Sequence, residues 1–302
     1  MGKTGRRSRT IRTGVIVVAF AGASLAGCSS EPASMLAGKK VEVGSKGDQP
    51  GTSYSPHDGE FNGFDITVAR EVLRRVEAKP PQFEGVLSQN RADVLQDGAV
   101  QLVAATFSIT AQRMKPTSEG GDGLDFVGPY ASTQQGILVR TENAGRYKRV
   151  KDLKERTVCV WKDTTSAREL EKTAYSGLIP VEKTDAKDCI KALKSGKVDA
   201  LSTDQLILYG FEAAEPGLTV PDGLVFGPIN DYGIAMVKGH REDCRKLKQA
   251  LIDYAGSNDW DRDFQNNLDR VPRADREDAR PTVYEIESLS CRDKPGNANV
   301  DE

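Results

Sequence analysis

Two polar segments of this 302-residue chain have the residue types that bind a small zwitterionic molecule. Thr106, Ser108 and Arg113 follow one apolar run, and Asp204 ends another directly after Thr203. A guanidinium with nearby hydroxyls matches the two oxygens of a carboxylate, whereas a single carboxylate suits an ammonium group. Each signal is weak by itself, because an Asp before a helix is more often an N-cap. Together they predict a site that holds both ends of an amino acid.

Alternating strands and helices must position these segments. The apolar spacing predicts a first set of elements: a strand at 40–44, helices at 68–76 and 91–98, and a strand at 101–106. A second set contains a strand at 157–161, helices at 167–174 and 188–195, a strand at 198–204 and a helix from 205. This alternation predicts the α/β class with two similar lobes, whose ligand lies at the carboxyl ends of the strands.

Two extended segments flank the second set and are the candidate strands that cross between the lobes, at 136–140 and 232–237. They divide the chain into a discontinuous lobe 1, 39–136 plus 234–270, and lobe 2, 137–233. An amphipathic helix is predicted at 244–254. The charged, Pro-bearing stretch 271–302 is predicted to be a partly irregular C-terminal extension.

The N-terminus has the pattern of an export signal. Five basic residues precede an uncharged run at 14–27, which is shorter than the ~20 residues that span a bilayer. Residues 1–27 are therefore predicted to be a signal peptide and 28–38 a tether. Leu25-Ala26-Gly27-Cys28 resembles the lipobox of bacterial lipoproteins, which implies lipid on Cys28 and a soluble domain held on the outer face of the cell membrane. An ordinary signal peptide with an incidental Cys28 is the alternative.

Composition excludes several classes of protein. Without residues 1–27 the chain has 37 basic and 44 acidic residues, so its net charge changes from −2 to −7. No basic patch with interleaved aromatics remains, which argues against nucleic-acid binding. The chain has two His and five Cys with no CxxC spacing, which argues against a zinc site. No metal or other cofactor is expected.

Four cysteines remain once Cys28 is assigned to lipid: Cys159, Cys189, Cys244 and Cys291. Export places them in an oxidising compartment, where disulfides form. Three pairings are possible, and the sequence alone does not select one. Pairing of nearest neighbours, Cys159 with Cys189 and Cys244 with Cys291, keeps each bridge inside one lobe and is the pairing that we predict.

The motifs resemble those of a known family in both type and order. They are Gly44-x-Lys46-x-Asp48-Gln49-Pro50-Gly51, Gly63-Phe64-Asp65, Gln89-Asn90-Arg91, Ala105 to Thr110 with Arg113, Phe126-x-Gly128-Pro129-Tyr130, Val158-Cys159-Val160 with Cys189, and Gly196 to Ala200 through Asp204. From about Val41 to Leu268 the chain resembles the family 3 extracellular solute-binding proteins, specifically lipoprotein receptors of glutamate or glutamine ABC importers. The resemblance implies a periplasmic-binding-protein-like fold of type II, with two Rossmann-like lobes joined by two crossing strands.

The resemblance also implies roles for individual residues. Arg113 would clamp the ligand α-carboxylate, with Ser108 and Thr106 at the same end. Thr165, next to Thr164, would reach that carboxylate from lobe 2. Asp204 would receive the α-ammonium. The family usually has Gly-Ser-Thr where this chain has Asp163-Thr164-Thr165, so Asp163 is expected to bring a negative charge close to the carboxylate.

Recognition of the ligand side chain is predicted less directly. The basic candidates at loop positions are Lys46, Arg91 and Lys162, although a structural salt bridge explains Arg91 almost as well. Tyr54 and Phe107 are candidates to cover the aliphatic part of the ligand, although aromatic residues more often belong to the core. Asp65 is expected to be structural. Glutamate is the favoured ligand, followed by glutamine, aspartate and asparagine.

These observations favour a monomeric, non-catalytic receptor that closes on an amino acid and delivers it to ABC permease subunits. A receptor that reports the same amino acid to a membrane signalling protein is an alternative with the same site. A dehydratase-type enzyme on this scaffold is a further alternative. It would need a cleft acid or base, but neither His57 nor His240 follows a strand-end motif and no nucleophile elbow occurs.

Overall fold

A computed structural model describes residues 1–3, 5, 33–38 and 40–294. The predicted signal peptide and the proposed lipidation site, Cys28, lie outside the described residues apart from the first few positions. Within the described ranges, no helix is both long enough and apolar enough to cross a lipid bilayer.

The core is a mixed α/β structure around one continuous sheet. Its strands are β1 (Glu42–Ser45), β2 (Asp48–Gln49), β3 (Ser53–Tyr54), β4 (Gln82–Gly85), β5 (Leu102–Val103), β6 (Leu124–Arg140), β7 (Thr157–Trp161), β8 (Ile179–Lys183), β9 (Ala200–Asp204), β10 (Leu218–Thr219) and β11 (Val225–Val237). The order along the sheet is β4-β1-β5-β11-β6-β9-β7-β8; β10 pairs with β6, and β2 with β3 forms a separate ribbon.

Helices cover the sheet on both halves of the chain. They are α1 (Phe64–Arg75), α2 (Arg91–Gln96), α3 (Ala111–Met114), α4 (Thr165–Leu170), α5 (Ala186–Lys194), α6 (Gln205–Ala214), α7 (Arg241–Ala255), α8 (Asn258–Asn267), α9 (Arg273–Ala279) and α10 (Val283–Leu289). Short 3-10 helices lie at Ser88–Asn90, Thr117–Glu119, Thr141–Arg146, Val150–Leu153 and Thr173–Tyr175. Most predicted elements fall within a few residues of these bounds.

Two α/β halves share the sheet. In the first half, β1 is parallel to β4 and β5 and packs against α1, which in turn contacts α7. In the second half, β7 is parallel to β8 and β9 and packs against α4 and α5. Separate apolar clusters fill the two halves, because each sheet face buries its own Val, Leu and Ile side chains.

The two long strands β6 and β11 belong to both halves. Their antiparallel ladder runs from the Val237↔Leu124 pair to the Val225↔Gly136 pair, while β6 pairs with β9 only from Gln135 to Val139. The predicted crossing segments, 136–140 and 232–237, are therefore only one end of each crossing strand. Gly128 and Pro129, residue types that normally interrupt strands, obscure the continuity of β6 in the sequence. The lobe limits stay a prediction, because both strands run through both halves.

Gly128 lies at a close approach of the two crossing strands. A Cβ atom added there would be 2.8 Å from the Cα atom of Gly233 on β11, closer than real Cβ atoms come. The pair of glycines therefore lets two backbones meet at the junction of the halves.

The four cysteines form two bridges. Cys159 is bonded to Cys189 within the second half, with an S–S distance of 2.04 Å, and Cys244 to Cys291, with an S–S distance of 2.11 Å. The predicted pairing is confirmed. The first bridge joins β7 to α5, and the second joins α7 to the chain that follows α10.

The described part of the C-terminal stretch, 271–294, contains more regular structure than its charge suggests. It forms α9 and α10, and α10 buries Ile286 and Leu289 against the first half. Thr282 caps α10 in a box with Glu285. The Thr282 cap, these two apolar residues and the Cys244–Cys291 bridge stabilise this helix. The charged composition of the segment does not reveal such a combination.

The end of the predicted tether also contacts the first half. The hydroxyl of Ser34 donates to Asp243 Oδ1 over 2.6 Å, and the backbone N–H of Met35 donates to Asp243 Oδ2 over 2.8 Å. Asp243 lies in the first turn of α7. The described part of this segment, 33–38, is therefore attached to the domain rather than being a free spacer.

Candidate functional site

A small polar cavity lies between the two halves, at the carboxyl ends of β5, β7 and β9. Its volume is about 10 Å³, and its lining residues are Gln49, Ser88, Arg91, Thr106, Ser108, Arg113, Trp161, Thr164, Thr165, Ser166, Thr203, Asp204 and Ile207. The cavity brings together seven of the eight residues predicted to bind ligand. Lys46 is the exception.

Two buried arginines dominate the side of the first half. Arg91 Nε donates to the carbonyl of Ser88 over 3.0 Å, and Arg113 Nη1 donates to the carbonyl of Ser108 over 2.6 Å. Both guanidiniums lie over the ring of Phe107, at 4.1 and 4.4 Å from its centroid. Carbonyls and the aromatic face hold the planar groups in place without neutralising them.

Neither guanidinium has a carboxylate partner within 4.0 Å among the described residues. Burial, with mutual repulsion, holds the pKa of Arg113 well below its usual range, and burial lowers the pKa of Arg91 to about 10. Two buried cations without counter-ions are unfavourable in a folded protein. The cavity is therefore suited to an anionic group.

Thr106 adopts a backbone conformation that few non-glycine residues show, with φ of 46°. Its N–H donates to Asp65 Oδ2 over 2.7 Å, and Asp65 Oδ1 accepts from the hydroxyl of Tyr130 over 3.0 Å. Burial raises the pKa of Asp65 to about 7. Asp65 does not line the cavity itself; it positions Thr106, which does, by accepting the backbone N–H.

Asp204 lies on the opposite side of the cavity, at the end of β9. Its Oδ1 accepts from Asn230 Nδ2 over 3.0 Å, and its Oδ2 accepts from the hydroxyl of Tyr232 over 2.7 Å. Burial raises the pKa of Asp204 to about 6, although the bond from Tyr232 opposes this shift. Each carboxylate oxygen keeps a further lone pair, so the group can also accept from an ammonium.

The loop after β7 completes the second side. Asp163 has φ of 58°, a conformation that favours glycine, which gives a physical reason for the Gly that the family usually has here. Its carbonyl accepts from Arg91 Nη2 at 3.3 Å and from Arg113 Nη2 at 3.4 Å. Its carboxylate is 61% exposed and lies 3.8 Å from Arg168 Nη1. The side chain of Asp163 faces solvent and pairs with Arg168, yet its negative charge still raises the pKa of both Arg91 and Arg113 against the effect of burial. Its effect on a bound carboxylate stays a prediction.

Thr164 and Thr165 are held by neighbouring residues. Thr164 Oγ1 donates to the carbonyl of Trp161 over 2.8 Å and accepts from the N–H of Ala167, so it caps α4. Gln135 of β6 accepts from the hydroxyl of Ser166 over 2.6 Å and lies 3.5 Å from Thr165 Oγ1. A crossing strand thus fixes the hydroxyl groups of α4.

Four of the other candidates are not at the cavity. Lys46 is buried and forms an ion pair with Asp48 at 3.3 Å; burial lowers its pKa. Lys162 is 56% exposed and 4.0 Å from Glu182. Tyr54 is 36% exposed, and Phe107 belongs to the core of the first half, where it supports the arginines. None of the four lines the cavity.

Several residues of the site were not predicted from the sequence. Ser88, Trp161 and Ile207 line the cavity, and Asn230 and Tyr232 hold Asp204. Trp161 ends a predicted strand, so its position at a carboxyl end was a usable signal. Asn230 and Tyr232 have no such signal, because their approach to Asp204 depends on how β11 crosses between the halves.

A larger groove of about 880 Å³ lies beside the crossing strands. It shares Thr165 with the small cavity but is not lined by Arg91, Arg113 or Asp204. Size alone would favour this groove. Converging buried charges favour the small cavity, because they are the groups that a polar ligand requires.

Known proteins are similar to this chain in sequence and in fold. The family model for bacterial extracellular solute-binding proteins, family 3, matches residues 41–175. The glutamate-binding protein GluB of Corynebacterium glutamicum is 30% identical over 80% of this chain and 84% of its own. The ABC transporter glutamine-binding protein GlnH of Bacillus subtilis is 31% identical over 65% of this chain and 69% of its own.

Solved structures show the same architecture. An ancestral arginine-binding protein bound to arginine matches with a TM-score of 0.65 at 26% identity, over 75% of this chain and 97% of its own. Such structures are type II periplasmic amino-acid-binding proteins, so the predicted fold class is confirmed. With a shared fold and a relative 30% identical over most of both chains, this chain belongs to the bacterial extracellular solute-binding proteins of family 3.

Proposed function

We propose that this protein is the receptor of an amino-acid ABC importer and that its ligand is a polar amino acid, with glutamate favoured over glutamine, aspartate and asparagine. The observation that carries the proposal is the pair of buried guanidiniums, Arg91 and Arg113, without carboxylate partners among the described residues and with Asp204 across the same cavity. The relatives named for glutamate and glutamine binding support the same ligand class.

In this proposal the two ends of the amino acid bind opposite halves. Arg113, with Ser108 and Thr106, binds the α-carboxylate from the first half, and Thr165 supports it from the second half. Asp204 binds the α-ammonium. Contacts of this kind are charge-assisted and form in a poorly solvated cavity, so they are stronger than similar contacts at a surface.

A count of charges favours an acidic side chain on the ligand. Two cationic side chains and one anionic side chain line the cavity. A zwitterion adds one charge of each sign, so one positive charge stays uncompensated. The carboxylate of glutamate or aspartate removes this excess, whereas the amide of glutamine or asparagine does not.

Binding requires the halves to separate and close again. The cavity of about 10 Å³ is close to the minimum that holds one water molecule, far less than an amino acid occupies. We infer that the halves rotate about β6 and β11, and that the closed form presents the ligand to the permease. Cys28, if lipidated, keeps the receptor on the outer face of the membrane. Ligand transfer needs no catalytic step.

Calorimetry of the chain that begins at Ser29, titrated with each of the twenty amino acids, tests the proposal. Glutamate should bind best, and the α-keto acid of glutamate should not bind, because Asp204 would face no ammonium. Arg113→Ala and Asp204→Asn should each weaken binding by roughly 30-fold to several thousand-fold. Lys162→Ala, a change at an exposed residue, is the matched control. Full affinity in both site variants, or a preferred ligand without an α-ammonium, would refute the assignment.

A further inference from the structure

Trp161 is a buried donor that the roles described above do not use. It ends β7 and is 1% exposed. Its ring packs in the apolar cluster of the second half with the Cys159–Cys189 bridge and Ile207. Its indole Nε1–H has no acceptor among the described residues. Buried N–H groups are nearly always paired, so an orphaned donor in a cavity wall indicates a group that the cavity takes up.

Arg91 begins α2 in the first half, on the other side of the cavity from Trp161. Its Nη2 is 3.3 Å from the carbonyl of Asp163, two residues beyond Trp161. Trp161 and Arg91 both line the cavity, one from each half. Arg113 and Asp204 are already engaged by the α-groups of the ligand in the proposed function. The ligand side chain is then left to Arg91 and Trp161.

We propose that Trp161 determines specificity for the ligand side chain, its Nε1–H donating a hydrogen bond to the side-chain carboxylate that Arg91 binds from the first half. This inference rests on the proposed function and adds a selective contact to it. The contact forms only when the halves close, because the two donors belong to different halves.

The two donors, Arg91 and Trp161, predict which ligand side chains the site prefers. A carboxylate presents two acceptor oxygens, one for Arg91 and one for Trp161. A carboxamide presents one acceptor and an NH₂ group that faces a donor. An aliphatic side chain leaves both buried donors unpaired, which a site built for hydrogen bonding rejects strongly.

The first experiment compares two ligands that share their α-groups, L-glutamate and L-2-aminobutyrate, which lacks the side-chain carboxylate. Trp161→Phe keeps an aromatic ring but removes the N–H. The affinity for glutamate should fall roughly 10- to 100-fold relative to that for L-2-aminobutyrate. Trp260→Phe is the matched control, because Trp260 is the other Trp of the chain and its Nε1 donates to the carbonyl of Tyr130 in the core, 2.9 Å away. That variant should leave the ratio unchanged.

The second experiment uses the wild-type protein, so it does not depend on the folding of a variant. With two Trp residues, the indole-¹⁵N-labelled protein gives two indole N–H signals. Saturation with glutamate should move the Trp161 signal downfield, L-2-aminobutyrate should not, and the Trp260 signal should stay in place. An unshifted Trp161 signal, or an unchanged affinity ratio in Trp161→Phe, would overturn the inference while the proposed function stands. If the wild type binds neither ligand, the proposed function fails and this inference fails with it.

Discussion

Asp204 is the residue whose ionisation controls the proposed site. Burial raises its pKa to about 6, and only the ionised form attracts an ammonium. A bound ammonium lowers this pKa, so the ligand and a proton compete for the same carboxylate. In the proposed site the affinity for an amino acid is therefore expected to be fully present about one unit above this pKa and to be lost as the pH falls through about 6.

We expect the affinity for glutamate to be nearly constant above pH 7 and to fall by up to about tenfold per pH unit below pH 6. Calorimetry between pH 4.8 and 8 measures this profile in a range where the glutamate side chain stays ionised. Asp204→Asn should bind more weakly at every pH, with a flat profile. A wild-type profile as flat as that of the variant would contradict the assignment of Asp204 to the ammonium.

At the scale of elements, the Cys159–Cys189 bridge holds the strand that presents Trp161. It joins β7 to α5 across a sequence separation of 30 residues. In the chain-entropy model a disulfide that closes a loop of this length stabilises the fold by roughly 3 kcal/mol, because it restricts the unfolded chain. The second bridge closes a separation of 47 residues and attaches the C-terminal helices to α7.

Removal of the first bridge should destabilise the second half. We expect the double variant Cys159→Ala, Cys189→Ala to unfold at lower denaturant concentration, with a free energy of unfolding reduced by roughly 3 kcal/mol. The double variant Cys244→Ala, Cys291→Ala serves as the comparison, since its effect should be confined to the first half and the C-terminal helices. Four free thiols in a non-reducing peptide map of the wild type would contradict both bridges.

At the scale of the whole molecule, the two halves also contact each other outside the cavity. Asp48 Oδ2 accepts from the N–H of Ala186 over 3.0 Å, at the start of α5. Gly210 of α6 lies directly against the loop after β2, because a Cβ atom added to it would be 1.8 Å from the carbonyl oxygen of Pro50. A side chain at Gly210 is therefore incompatible with this closed arrangement.

Gly210→Ala should oppose closure without weakening either half. We expect glutamate affinity to fall roughly 5- to 150-fold, while thermal stability without ligand is unchanged or slightly higher, because Ala is the better helix former. Small-angle scattering should show a larger radius of gyration with ligand than for the wild type. Gly145→Ala, where an added Cβ meets nothing within 4 Å, is the control. Wild-type affinity in Gly210→Ala would show that closure does not need this contact.

Membrane attachment depends on Cys28 in our proposal. Cys28→Ser should lose the acyl groups and appear in the culture medium, because the remaining chain has no lipid to hold it. Fractionation of cells that express either form measures this, with intact mass of the wild-type mature protein as a second readout. Retention of Cys28→Ser on the membrane, or an unmodified Cys28 in the wild type, would count against a lipid anchor.

The sequence by itself determined the fold class and most of the cavity. Strand β7 coincides with the predicted segment 157–161, Asp204 ends strand β9, and Arg113 lies in α3 after β5. These predictions succeeded because local apolar spacing fixes the elements, and the α/β architecture then brings strand ends to one edge. The two disulfides were predicted from three possible pairings of four cysteines. The nearest-neighbour pairing was chosen because it keeps each bridge inside one predicted lobe.

The tertiary structure alone decided which charges meet. Lys46 and Arg91 are both basic residues at predicted loop positions. Lys46 pairs with Asp48, whereas Arg91 lines the cavity and has no carboxylate partner among the described residues. Asp163 and Asp204 are both carboxylates near strand ends, but the backbone of Asp163 turns its side chain to solvent. Such outcomes depend on long-range packing between the halves, which sets burial and distance. Residue type and local spacing do not contain that information.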